Sequence, residues 1–144
     1  MHPGYLYVET SASHPGLVRL VTADYLPDTS APGEADPCIR YVARFSDIST
    51  ALMHAHDLLR RRLVDLENRI YRSDLLTAIA DIEADGLNHQ CVYLHPDLKA
   101  SELSAQLSDR VARLQRRRER IDRIWQTVGW IAIGLLLLNF VFSL

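Results

Sequence analysis

Residues 124–144 contain no charged side chain, and this run constrains the chain more than anything else in it. It holds four consecutive leucines, Leu135 to Leu138, with Ile131, Ile133, Phe140 and Val141 around them. In a helix, about 20 such residues at ~1.5 Å each span about 30 Å, the thickness of a bilayer's hydrocarbon. Trp125 and Trp130 stand at one end of the run, where amphipathic rings favour the membrane–water interface. Gln126, Thr127, Asn139 and Ser143 dilute the run without charging it. The expectation is one C-terminal transmembrane helix over residues 124–144. It makes the chain tail-anchored and single-pass, inserted after translation, with everything else on one side.

A net charge of −2 conceals an asymmetry. Residues 1–107 carry nine Lys/Arg against fifteen Asp/Glu, a net −6. Residues 108–144 carry seven Arg against three acids, a net +4, all of it between Asp109 and Arg123. An arginine-rich flank beside a span tends to remain cytoplasmic, and it suits an anionic leaflet at about 1 kcal/mol per basic residue. Arg113, Arg116, Arg117, Arg118, Arg120 and Arg123 are therefore the candidate membrane-surface residues, and lipids the first expected partner. The N-terminal domain is expected to be cytoplasmic. That setting would keep Cys38 and Cys91 reduced. The start of the chain has neither a basic n-region nor an apolar h-region, so no signal peptide is expected.

Four segments are expected: a folded domain over residues 1–86, a connector over 87–100, a basic juxtamembrane helix over 101–123 and the span. Tyr5-Leu6-Tyr7-Val8 alternates, and Leu17 to Thr22 follows a His14-Pro15-Gly16 turn signal, which predicts a hairpin. Residues 27–37, dense in Pro, Asp, Ser and Gly, read as a loop. Ile39 to Phe45 alternates as a third strand, with Ile39, Tyr41 or Val42, and Phe45 as core candidates. Ser46-Asp47 caps a helix whose inward positions run from Ile48 through Leu52, Ala55, Leu59 and Leu63 to Leu66. Arg69 to Arg72 reads as a short edge strand. Ser73 or Asp74 caps a second helix that ends at Gly86. From Ser101 a long helix carries Leu107, Val111, Leu114, Ile121, Trp125 and Val128 at heptad-like spacing, interrupted by Arg118. A homodimer through residues 101–128 is one use for that stripe.

This order of elements, opening on Gly4-Tyr5-Leu6-Tyr7-Val8 and Pro15-Gly16-Leu17-Val18-Arg19-Leu20, resembles the GIY-YIG nuclease superfamily, and most of all its phage-associated branch. The resemblance covers residues 3–84. It implies an α/β (α+β) fold: a three-stranded, mainly antiparallel sheet with flanking helices. It maps the first motif's tyrosine onto Tyr7 and sets Arg19 where the second motif has tyrosine, or lysine in the phage-associated branch. His56 matches a histidine that branch carries. Val21 replaces the motif glycine. No arginine lies between Arg19 and Arg40, and no glutamate between Ile48 and Leu66, where the family has a catalytic arginine and a metal-holding glutamate. Phosphodiester cleavage needs the charge developing on phosphoryl oxygens to be neutralised, usually by Arg and a metal ion. Tyr7, Arg19 and His56 are then vestigial catalytic positions. What the resemblance implies is a degenerate domain without nuclease activity or cofactor, presenting a surface to a protein partner. The alternative is a membrane-anchored divergent endonuclease or nucleic-acid-binding protein, with a divalent metal such as Mg²⁺. The domain's −6 weighs against duplex binding, which phosphate neutralisation dominates.

Other candidates are weaker. His54 and His56, two residues apart on a helix, face different sides and cannot chelate one ion. His89, Cys91 and His95 supply zinc-type donors but no evident fourth. Arg60, Arg61 and Arg62 stand among Asp57, Asp65 and Glu67, which favours pairing on a solvated face.

Overall fold

A computed structural model of the chain describes residues 2–29 and 36–142. The middle of the loop expected over residues 27–37 and the last two residues of the apolar run lie outside the described residues. Six strands form one antiparallel sheet: β1 (Gly4–Thr10), β2 (Leu17–Ala23), β3 (Cys38–Phe45), β4 (Leu63–Asp65), β5 (Ile70–Arg72) and β6 (His89–Leu94). Their order is β4-β5-β2-β1-β3-β6. Four helices accompany them: α1 (Ile48–Leu59), α2 (Leu75–Glu83), α3 (Pro96–Lys99) and α4 (Ser101–Phe142).

Alternation along the strands decides the layers. Leu6 and Val8 of β1, Val18 and Leu20 of β2 and Tyr41 of β3 form one buried cluster with Ala51, Ala55 and Leu59 of α1 and Ala78, Ile79 and Ile82 of α2. Gly4 is where α1 comes closest. A methyl group there would stand 3.0 Å from Ile48 Cβ and 3.1 Å from the Ala23 carbonyl. The first glycine of the opening motif therefore admits the helix to the sheet. Asp47 caps α1 by accepting from the Ser49 and Thr50 amides, and Asp74 caps α2 by accepting from the Thr77 amide. Gly16, in the β1–β2 turn, has φ +82°, a conformation that glycine adopts at little cost.

Three expectations are corrected. The sheet has six strands rather than three: β5, the expected short strand near Arg69–Arg72, joins it together with β4, and β6 lies in the presumed connector. Half of the β6 side chains are exposed and none is fully buried, so it shows no apolar alternation, and it is defined by backbone pairing with β3. The sheet and core therefore continue past residue 86, and Leu98 of α3 is buried in the same cluster. Second, the first helix ends at Leu59. A 3-10 turn over Arg60–Arg62 follows, and residues 63–65 leave the helix to pair with β5. That places β4 at the edge and β5 inside, between β4 and β2. Third, Ile39 is only half-buried, whereas Tyr41, Val42 and Phe45 are all buried.

α4 is a single helix with two environments. Leu103 and Leu107 pack against the core. Farther along, it is long and apolar enough to cross a membrane, and the most apolar part is wholly exposed.

Candidate functional site

On the sheet face opposite the core cluster, β1 presents Tyr5, Tyr7 and Glu9. Hairpin register sets Tyr7 opposite Val21 on β2 and Val42 on β3, and Glu9 opposite Arg19. Arg19 Nη1 stands 3.6 Å from Glu9 Oε2, and its Nε donates to the Asn68 carbonyl at 3.3 Å. Glu9 is only 8% exposed, and its Oε2 accepts no hydrogen bond. Burial raises the Glu9 carboxyl above its ordinary range, and Arg19 opposes that shift. Burial also raises the Tyr7 phenol, and the neighbouring Glu9 carboxylate adds to the effect. A cavity of about 370 Å³ opens beside this pair, bordered by Ser11, His14, Leu17 and Ile70.

His56 is elsewhere. On α1, its Nδ1 meets the Tyr71 hydroxyl at 2.9 Å, and Tyr71 belongs to the core cluster. The sheet thus separates His56 from Tyr7 and Arg19, and the three expected positions do not converge. A divalent metal does not fit beside Tyr7. The nearest carboxylate, Glu9, already faces a guanidinium, whose charge repels a second cation. Among the described residues, no three His, Cys, Asp or Glu side chains gather as a metal site. His89 instead meets Glu83 at 3.1 Å, and Glu83 accepts the Tyr41 hydroxyl at 2.7 Å. His95 is buried beside Arg40, and burial, helped by the guanidinium, lowers its pKa. Cys91 donates weakly to the Tyr93 carbonyl.

The basic helix divides. Arg118 turns inward: Nη1 donates to the Ala84 carbonyl at 2.9 Å and Nη2 to Asp85 Oδ1 at 3.0 Å. It thereby satisfies a carbonyl at the negative end of α2. This explains the interruption in the heptad-like stripe, since the position faces α2 and needs a donor rather than a hydrocarbon. Asp85 is buried and also meets His54 at 3.1 Å. Arg110 ties the other end of α2 through Asp74 and Thr77. Arg113 pairs with Asp109 within α4. Arg116, Arg117, Arg120 and Arg123 are exposed. Arg118 is thus a docking residue, and the exposed set stands on the helix just before the apolar run. In the Arg60–Arg62 turn, Arg60 pairs with Asp57, and Arg62 with Asp81 and Ser73.

Sequence reasoning missed Glu9 and Asp85. Glu9 shares the alternation of Tyr5 and Tyr7, so fixing the hairpin register would have set it against Arg19. Asp85 has no such signal, because its partners come from α1 and α4. Comparison with protein-family models, curated proteins and solved structures finds no match to this chain.

Proposed function

We propose that the chain is a membrane-tethered, catalytically inactive GIY-YIG-like domain, acting as an interaction module at the cytoplasmic face of a membrane. The observation that carries the reading is the continuity of α4. One helix runs from contacts with the core at Leu103 and Leu107 into an uncharged, fully exposed apolar stretch. Two further observations support the loss of chemistry. Arg19 is held by Glu9 and Asn68, and His56 by Tyr71 on the other side of the sheet. The carboxylate nearest Tyr7, Glu9, faces Arg19, and its charge with burial raises the phenol pKa rather than activating it. Because Leu103 and Leu107 serve the chain's own core, a homodimer through α4 would rely on the residues beyond Ile121.

Two measurements test this. Full-length protein should stay with membranes after carbonate and high-salt washes, and release by either would remove the anchor. Purified protein in detergent should show no Mg²⁺- or Mn²⁺-dependent cleavage of DNA or RNA. Cleavage that disappears in Tyr7→Phe, with folding intact, would restore the nuclease reading.

A further inference from the structure

The contacts between α2 and α4 orient the whole domain relative to the apolar run. Arg110 meets the start of α2, and Arg118 meets its end. The two helices therefore run in the same direction, and the C-terminal end of α2 points toward Ile124. His54 pairs with Asp85, which brings the middle of α1 to that end. Met53, 62% exposed, shares a cleft with Asp85 and Arg118. Leu66, 63% exposed, shares another with Met53 and Ser49. Tyr25 (77% exposed) and Leu26 follow β2, whose last residue, Ala23, flanks Gly4 together with Ile48 at the start of α1. Four large exposed side chains from three separate segments thus lie at the end of the domain from which α4 leaves.

We infer that this rim, Tyr25, Leu26, Met53 and Leu66, rests in the lipid headgroup layer of the bilayer that the tail crosses. It forms a second, non-spanning contact with the same membrane. The inference rests on the tail-anchor reading. Its argument is distance and stiffness. Ile124 is six residues beyond Arg118, about 9 Å at ~1.5 Å per residue. The headgroup layer occupies about 5–8 Å on each side of the hydrocarbon. No proline or glycine lies between Arg118 and Ile124 to form a hinge. A domain docked at Arg118 cannot swing clear, so its rim meets the headgroups. Clustered exposed apolar side chains mark a contact surface, and tyrosine is at home at this depth. Asp24, Asp47 and Glu67 at the same end keep the rim in the headgroup layer, because carboxylates do not enter hydrocarbon.

The test uses the full chain in phosphatidylcholine vesicles. Cys38 is replaced by alanine and Cys91 by serine, and a nitroxide is attached to a single cysteine at position 53, 66, 102 or 136. Collision with oxygen, which partitions into lipid, is compared with collision with a water-soluble nickel chelate. The oxygen-to-nickel ratio at 53 and 66 should exceed that at 102, the aqueous far end, several-fold, and 136 should read as hydrocarbon. If 136 reads hydrocarbon while 53 and 66 match 102, the rim contact is overturned and the anchor stands. Exclusion of both reagents at 53 and 66 means a protein covers the rim, which also overturns the proposal. An aqueous reading at 136 removes the anchor, and the rim contact with it.

Discussion

The two halves of α4 share one backbone and differ in what their side chains require. Between Ser101 and Ile121 the helix has a dry side, where Leu103 and Leu107 join the core and Arg110 and Arg118 tie the ends of α2. From Ile124 onward its described side chains are exposed, including Trp125, Trp130 and Leu135 to Leu138. Moving those four leucines from water into lipid is worth roughly 6–12 kcal/mol, as much as the whole net stability of a small domain. Helicity is therefore no guide to environment. The first half is a part of the domain, and the second is long and apolar enough to cross a membrane.

The strongest way to break this contrast is to charge each half in turn. Ile133→Arg with Leu137→Arg should cost about 5–7 kcal/mol of insertion, and the protein should become carbonate-extractable. Leu107→Arg should instead destabilise the domain while leaving it in the membrane pellet, as limited proteolysis of the pellet would report. Next in size is the joint between the halves. Asp85→Ala leaves Arg118 and His54 facing an empty site. It should cost about 2 kcal/mol, below the value for a fully buried pair because Arg118 is 39% exposed. Denaturant unfolding in detergent measures this. Arg118→Ala combined with it should cost less than the two separate losses together.

A smaller effect concerns pH. The folded Glu9 pKa is raised above its ordinary 4.5 by burial. As pH rises from there through the raised value, the unfolded chain releases its proton before the folded one does. Stability therefore falls across that window, and Glu9→Gln should abolish the fall. Asp47 acts in the opposite sense. Hydrogen bonds from Thr50, chiefly its amide, lower its pKa, so the stabilisation it gives above its ordinary range is lost as pH falls through the lowered value. Comparing the unfolding midpoints of Glu9→Gln and Asp47→Asn across acidic pH separates the two. The smallest change should be Tyr7→Phe, about 0.5 kcal/mol or less, because the residue is half-buried outside the core cluster. A larger loss in thermal unfolding would mean the phenol has a structural partner.

What could be read from the chain was whatever rests on local periodicity. The hairpin, β3, both capped helices and the start of α4 follow from alternation, three-to-four-residue spacing and Asp at the caps. β6 could not be read this way, since an exposed edge strand obeys no apolar rhythm. Nor could the exit from helix at Leu59, because Leu63 continues a helical stripe and only pairing with β5 removes it. Tyr7, Arg19 and His56 were legible as residues but not as a site, since the sheet that separates them is a property of the fold.

The sequence by itself determined that residues 124–144 carry no charge and that basic residues crowd just before them, because hydropathy and charge are properties of single residues summed along a chain. Only the tertiary structure decided that Arg118 serves α2 rather than open solvent, that Glu9 is buried against Arg19, and that Met53 and Leu66 share one rim. Each of these depends on segments far apart in the chain being brought together by a common core, and no local pattern encodes that meeting.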